Sequence, residues 1–158
     1  MKRLPAFLVG ALTLGTVSLV RADAPAGQYQ PFDGNDATVT DAFTKLTWSR
    51  AVLGPSTFLG AQGLCAASIG THVPTLKELL TIVDESPHNY ESEKGVNPYK
   101  YIDGSAFRNT PIDGAFWTST PSAKTGLMTT KAFTVDFGTG GVVEETDVSK
   151  THYVRCVK

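Results

Sequence analysis

The alternation of apolar and polar residues predicts strands near both ends of the folded part of the chain. Short runs rich in β-branched and aromatic residues predict strands at Thr38–Thr40 and Leu46–Ser49, with a turn over Asp41–Lys45 between them. Toward the carboxyl terminus, AFWTST and KAFTVDF predict two more strands, and the second alternates cleanly, with its two phenylalanines and its valine on one face. After the GTGG turn, a short strand and then a last strand over His152–Val157 are predicted.

A first helix is predicted directly after the two amino-terminal strands. Ser56 or Thr57 can cap it, and it would run to about Ile69. Gly70 then stands where a helix end favours a residue with a positive φ angle.

A second helix is predicted within PTLKELLTIVDES. Thr75 and Glu78 have the spacing of a capping box, in which each side chain bonds the backbone N–H of the other. Apolar residues then recur at the spacing of one helix face, which predicts a stripe packed on the core. The stripe consists of Leu76, Leu79, Leu80 and Val83.

Periodicity fails over residues 85–114, where prolines and glycines recur. A loop of this length is uncommon in a compact domain unless it is functional or disordered. Its aromatic residues argue against disorder, because a disordered segment has few of them. They would either pin the loop to the domain or form a contact surface, and pinning is the favoured interpretation.

The first residues carry the pattern of an export signal. The start MKR is positive, Leu4–Val20 is apolar or small without a charge, and Ala22-Asp23-Ala24 is a small-x-small cleavage pattern. These features predict a signal peptide over residues 1–24, a flexible polar leader over 25–37 and one domain over 38–158. An uncleaved membrane anchor is disfavoured, because the apolar run is barely long enough to span a bilayer and contains proline and glycine.

Two cysteines support the prediction of an exported domain. An even count in an exported chain predicts a disulfide between Cys65 and Cys156, which would tie the first helix to the last strand. Closing so long a loop contributes about 4–5 kcal/mol on the chain-entropy model. The alternative is two reactive thiols, but neither cysteine lies in a C-x-x-C pattern. The order of elements predicts an α+β domain with a small antiparallel sheet, two helices and a long irregular loop.

The charge of the chain gives no reason to expect nucleic acid or an anionic membrane as a partner. The net charge is −1, and the predicted signal peptide holds more basic than acidic residues, so the mature chain is mildly acidic. No later apolar run is long enough to span a bilayer, so we expect no stable membrane insertion after cleavage.

Motifs for metal binding or catalysis are mostly absent from the sequence. The three histidines lack metal-ligand spacing. Asp33, Asn35 and Asp36 resemble a fragment of a calcium loop, but Asx turns explain them better because the distant glutamate of an EF-hand is missing. Acidic residues of the long loop could hold calcium, although no motif supports it and a solvated loop is favoured. No G-x-S-x-G elbow is present, and we expect neither a cofactor nor enzymatic activity.

Several segments, in order, resemble the Lcl C-terminal domain family of exported bacterial proteins. They are DGNDATVTDAFTKLTW, the helix with Cys65, VPTLKELLTIVD, YIDGSAFRNTP, and FWTSTP followed by YVRCV. The resemblance covers about Phe32–Val157. It implies a C-type-lectin-like fold, that is, a small twisted sheet with two helices and a ligand surface on a long loop. Some members of the family are implicated in adhesion and polysaccharide binding.

The sequence departs from the family pattern at several positions. Lys45 stands where the family usually has glycine, so a turn that needs a positive φ would be strained. The family commonly has Trp-Arg before its Leu-Pro-Thr, whereas Thr71, His72 and Val73 precede Pro74 here. Phe58 replaces the tryptophan that the family has early in the first helix. Trp48 and Trp117 match the pattern and are expected in the core. The calcium–sugar motifs of C-type lectins are also missing, so we do not expect their usual calcium site.

The favoured function is an exported, non-catalytic binding module that recognises a glycan or a protein at the cell envelope or outside the cell. Tyrosine rings can stack on sugars, while amide, carboxylate and guanidinium groups set orientation. The predicted contact residues are Tyr90, Asn97, Tyr99, Tyr101, Asp103 and Arg108. A lower-ranked candidate for an acidic polysaccharide is the basic group Lys150, His152, Arg155 and Lys158. The alternatives are a structural or assembly subunit of the envelope and, less favoured, an enzyme of unknown type.

Overall fold

The computed structural model describes residues 24–32, 35–68, 70–89, 99–125 and 128–158, which form ten strands and two helices. The helices are α1 (Phe58–Ala66) and α2 (Leu76–Leu80). The first strands are β1 (Tyr29–Phe32), β2 (Asn35–Asp41), β3 (Thr47–Ser49) and β4 (Leu53–Ser56). The later strands are β5 (His88–Asn89), β6 (Tyr99–Lys100), β7 (Phe116–Thr125), β8 (Met128–Asp136), β9 (Gly141–Glu145) and β10 (His152–Val154). Within the described residues, no helix is long and apolar enough to cross a membrane.

The strands form one three-stranded, one five-stranded and one two-stranded sheet. The first has the order β1-β2-β3 and is antiparallel, and the smallest joins β5 to β6. The largest has the order β4-β10-β7-β8-β9, in which β10 runs parallel to β7 and the other pairs are antiparallel. The α+β class is therefore confirmed. The expectation of an antiparallel sheet is wrong at one pair, since β10 runs parallel to β7. The chain does not turn from β9 into a neighbouring strand, because β10 lies on the other side of β7, between β7 and β4.

The predicted flexible leader contributes a strand. Tyr29 pairs with Asp41 and Gln30 with Thr40 along the edge of β2. The side chain of Gln28 adds a hydrogen bond from Nε2 to Oδ2 of Asp41 at 3.2 Å. Part of the 25–37 segment is therefore held against the domain. A polar sequence can pair with the edge of β2 because the hydrogen bonds between strands are made by backbone groups.

The five-stranded sheet is covered on both faces, and consecutive residues of β7 belong to different cores. Phe116 lies in a cluster with Val135 and Phe137, while Trp117 lies in a cluster with Ala132 and Val154. Trp48 belongs to the first cluster, and both tryptophans are fully buried, as predicted. Phe133, predicted on the same face as Val135, is only partly buried and joins neither cluster.

Helix α1 carries the disulfide. It begins after Thr57, whose Oγ1 accepts a hydrogen bond from the N–H of Gly60 at 3.2 Å. Phe58, Ala61 and Cys65 form its buried face. Cys65 is bonded to Cys156 with their Cα atoms 5.4 Å apart, which confirms the predicted pairing.

Helix α2 has the predicted capping box but is shorter than the apolar pattern suggested. The backbone N–H of Thr75 donates to Oε2 of Glu78 at 2.7 Å, and Oγ1 of Thr75 accepts from the N–H of Glu78 at 3.2 Å. Leu79 is buried in the core, and Leu76 and Val83 pack against it as predicted. Leu80 is exposed and Ile82 is fully buried in its place, so Leu80 was wrongly assigned to the core.

The turn between β2 and β3 contains the positive φ angle that Lys45 was expected to meet with strain. Its φ is 65°. Asp41 organises the turn, because its Oδ1 accepts hydrogen bonds from the N–H groups of Phe43 at 2.8 Å and Thr44 at 3.2 Å. The ammonium of Lys45 donates to the carbonyl of Ala42 at 2.7 Å.

Candidate binding site

The described part of the long segment is anchored to the domain. The N–H of Tyr101 donates to the carbonyl of Phe137 at 2.8 Å, which fixes the chain just after β6. Ile102 and Phe107 are fully buried in the core cluster of the three-stranded sheet and β7. The ring of Phe107 contacts that of Tyr29 edge-on, with centroids 5.1 Å apart. These buried side chains fix the ends of residues 103–105, which are partly or fully exposed.

The predicted contact residues separate into three sets. Tyr90 and Asn97 lie outside the described residues. Tyr99 is 46% exposed, and the ring of Tyr101 packs on the turn after β8, where a Cβ added at Gly140 would lie 2.9 Å from it. Asp103 and Arg108 form the third set, because they line two neighbouring cavities.

The two cavities share Arg50. One, of about 350 Å³, is lined by Arg50, Ala51, Val52, Arg108 and Asn109. The other, of about 210 Å³, is lined by residues 24–27 together with Tyr29, Arg50, Asp103, Ser105 and Ala106. Their linings combine cationic, anionic, amide and hydroxyl groups beside short aliphatic side chains. Such a combination suits a polar ligand that needs several oriented hydrogen bonds.

Asp103 is preorganised as a carboxylate in the smaller cavity. Its Oδ1 accepts hydrogen bonds from the N–H and Oγ of Ser105, at 2.7 and 2.6 Å, and from the N–H of Ala106 at 3.1 Å. Burial alone would raise its pKa, but these hydrogen bonds and the charge of His88 outweigh that effect and lower the pKa of Asp103. The side chain is therefore ionised at neutral pH.

Arg155 lies behind the larger cavity and holds its wall in place. It is fully buried, and its guanidinium donates to the carbonyls of Ser49 at 2.7 Å and Arg50 at 2.9 Å. A third bond goes to Oγ1 of Thr110 at 2.8 Å, and the group lies 4.9 Å from the ring centroid of Phe107. Burial lowers the pKa of Arg155 to about 9, so it stays charged at neutral pH. One side chain thus ties the end of the 99–110 segment to the last residue of β3 and the residue after it.

The basic group near the carboxyl terminus does not form one surface. Arg155 is buried, as described above. Two other members of the group, Lys150 and His152, pair with Glu145. Its carboxylate lies 3.1 Å from Nζ of Lys150 and 3.0 Å from Nε2 of His152. Lys158 is exposed elsewhere, with its backbone paired to that of Thr47. The expected attraction of an acidic polysaccharide to this group therefore has no continuous surface to act through.

The histidines pair with carboxylates rather than with one another. His72 lies 3.3 Å from Glu78, and His88 lies 2.9 Å from Asp84, while His152 contacts Glu145. Among the residues that the structure describes, no three metal-ligating side chains come together. Asn35 and Asp36, part of the suspected calcium fragment, lie in β2, and Asp33 lies outside the described residues.

Sequence reasoning missed several residues that line the cavities, among them Arg50, Tyr29 and Asn109. Arg50 follows a predicted strand without any motif, and Tyr29 lies in the predicted leader. Asn109 has a φ of 56°, a conformation that asparagine adopts more readily than most residues. The sequence Arg-Asn-Thr-Pro around Asn109 contains a turn signal. The cavity could still not be predicted from it, because Arg50, which also lines the cavity, is distant along the chain.

These features define a class of protein: a disulfide-closed α+β domain with two polar cavities beside an anchored surface loop. The Lcl C-terminal domain family matches residues 37–158, and the chain belongs to that family. The predicted resemblance is therefore confirmed over most of the chain. A comparison with curated proteins found no match.

Proposed function

We propose that this chain is an exported, non-catalytic module that binds a glycan or a protein through the two cavities around Arg50. The observation that carries the proposal is that Arg50 lines both the cavity that contains Arg108 and the cavity that contains Asp103, two residues predicted as contacts. Family membership supports a C-type-lectin-like fold for the domain, and the disulfide fits an oxidising compartment outside the cytoplasm.

A glycan fits this surface better than a flat protein epitope does. The cavities are small and separated by one side chain, so each could take one polar group of a ligand whose units repeat at short distances. Tyr29 adds an aromatic ring to the smaller cavity, and sugars stack on such rings. Tyr99, which lines neither cavity, is the exposed aromatic that would extend the contact along the same segment.

A glycan-array screen of the oxidised fragment Pro25–Lys158, with calcium and with chelator, tests the proposal. We expect a specific hit that Arg108→Ala weakens about tenfold, because truncating one charged contact costs about 1–2 kcal/mol of binding free energy. Lys77→Ala is the matched control, since Lys77 is an exposed cation on α2, away from both cavities. A folded fragment that binds no glycan would redirect the proposal to a protein ligand, and a hit unaffected by Arg108→Ala would place binding elsewhere.

A second candidate function, a subunit of an envelope assembly, is favoured by one apolar patch. Leu59 and Met128 are 76% and 74% exposed, and they border a cavity of about 390 Å³ with Phe58 and Val148. Large apolar side chains that gather around a concavity are typical of protein contacts. Replacing Leu59 and Met128 by glutamine should then release a co-purifying envelope partner, while Leu64→Gln, on the same helix but outside this cavity, should retain it.

A further inference from the structure

The larger cavity has two walls that come from distant parts of the chain. Residues 50–52 form one wall and residues 108–109 form the other. The guanidinium of Arg155 connects them, because it donates to the carbonyl of Arg50 at 2.9 Å and to the hydroxyl of Thr110 at 2.8 Å. One buried cation is therefore bonded to the first residue of one wall and to the residue that follows the other wall.

The hydroxyl of Thr110 closes the turn that carries Arg108 and Asn109. It donates its only proton to the carbonyl of Phe107, three residues earlier, at 2.8 Å. The same oxygen accepts the hydrogen bond from Arg155. Thr110 is 2% exposed, so both bonds are made inside the protein and the hydroxyl is not offered to a ligand.

The backbone conformation of this turn needs support from its surroundings. Asn109 has a φ of 56°, and a residue other than glycine keeps such a conformation only where neighbouring groups hold it in place. Pro111 follows closely and has no N–H with which to close the turn. The side chain of Thr110, directly after Asn109 and bonded on both sides, can supply that support.

We propose that Thr110 is a positioning residue of the larger cavity, whose hydroxyl fixes Arg108 and Asn109 in the conformation that binds a ligand. The proposal rests on the proposed binding function and adds to it a residue that touches no ligand. The hydroxyl is needed for both of its bonds at once. A side chain of the same shape without it would leave the carbonyl of Phe107 and an N–H of Arg155 without their shared partner.

Backbone relaxation, measured by NMR on the oxidised fragment Pro25–Lys158, tests the positioning without any ligand. We expect the order parameters of residues 108–109 to be about 0.85 in the wild type and in Thr110→Ser, which keeps the hydroxyl, and to fall below about 0.6 in Thr110→Val. Thr118→Val is the matched control. Thr118 is fully buried on β7, donates to the carbonyl of Phe133 at 2.7 Å and lines neither cavity. Its loss should leave the order of residues 108–109 unchanged.

A double-mutant cycle with Arg108→Ala then connects the positioning to binding of the strongest glycan from the array. Thr110→Val alone should weaken that binding about tenfold, but only about twofold or less in the Arg108→Ala background, because both changes remove the same contact. Thr110→Ser should restore most of the affinity.

Three results would overturn the proposal: unchanged order parameters in Thr110→Val, an equal loss of order in Thr118→Val, or additive effects of Thr110→Val and Arg108→Ala on binding. A blank array together with the expected loss of order in Thr110→Val would instead count against the proposed function while supporting the role of Thr110 in holding the turn. The two failures are therefore distinguishable.

Discussion

Two groups of basic residues in this domain show how differently the same side chains are used. Arg50 and Arg108 line open cavities beside the anchored segment. The carboxyl-terminal group holds its cations close together in sequence, yet Arg155 is buried and Glu145 pairs with Lys150 and His152. Closeness in sequence thus favoured a surface that these residues do not form, because Arg155 lies in the core and Glu145 pairs with Lys150 and His152.

The difference lies in the neighbours of each cation and not in its charge. Arg155 faces two backbone carbonyls, and it binds both of them with one planar group. Arg108 is exposed at the rim of a cavity, where it can meet a ligand. Burial with fixed acceptors makes an arginine structural, while exposure beside a concavity leaves it available for binding.

Replacing Arg155 should lower the free energy of unfolding more than any other substitution considered. Arg155→Met keeps much of the volume but removes the donor that the carbonyls of Ser49 and Arg50 and the hydroxyl of Thr110 share. We expect a loss of about 3–5 kcal/mol in the free energy of unfolding, measured by urea denaturation of the oxidised fragment.

Arg108→Met is the matched control for that substitution. It makes the same replacement at the surface and should change the free energy of unfolding by less than about 0.5 kcal/mol. Similar losses in the two variants would show that burial does not separate the two arginines.

Replacing Glu145 should cause the next largest loss of stability, and that loss should depend on pH. Burial raises the pKa of Glu145, but the hydrogen bonds from Asp147, His152 and Lys150 outweigh it and lower the pKa. Because the folded-state pKa is depressed, the stabilisation is present above the unfolded-state value of about 4.3 and is lost as pH falls through the folded-state pKa.

Thermal denaturation of Glu145→Gln between about pH 3 and pH 7 checks this expectation. At pH 7 the variant should melt about 2–4 °C below the wild type, and the two should converge as the pH falls toward the lower limit. Glu85→Gln, which removes an exposed carboxylate from the long segment, should follow the wild type throughout. A constant gap between Glu145→Gln and the wild type across this range would contradict an electrostatic role for Glu145.

The elements with local signals could be predicted from the sequence. The capping box at Thr75 and the cap at Thr57 each depend on a few neighbouring residues, and the structure has both. The strand before Phe137 is also present in β8, but its burial does not follow the predicted alternation, since Phe133 is only partly buried. The disulfide followed from the even number of cysteines in a chain predicted to be exported. The end of α2 was missed because Leu80 continues the apolar period although the helix stops there.

The candidate site could be predicted only in part, because its parts come from distant segments. Asp103 and Arg108 lie in the long segment, whose aromatic residues predicted that it is either pinned to the domain or forms a contact surface. Arg50 carries no local signal, and its place beside the cavities depends on Arg155, far along the chain, which binds its carbonyl. Tyr29 joined the site through the pairing of β1 with β2, which a polar leader sequence did not indicate.

Lys45 gives the smallest and most local test of how a basic residue is used. Its positive φ is a conformation that glycine adopts without strain, so Lys45→Gly should relieve the turn. The relief is partly offset by the greater freedom of glycine in the unfolded chain and by the lost bond to Ala42. We expect a net gain of about 0.5 kcal/mol in urea denaturation. Lys45→Ala keeps the strain while removing the ammonium, so it should be slightly less stable than the wild type. If the alanine variant were stabilised as much as the glycine variant, the ammonium and not the backbone would be the source of the strain.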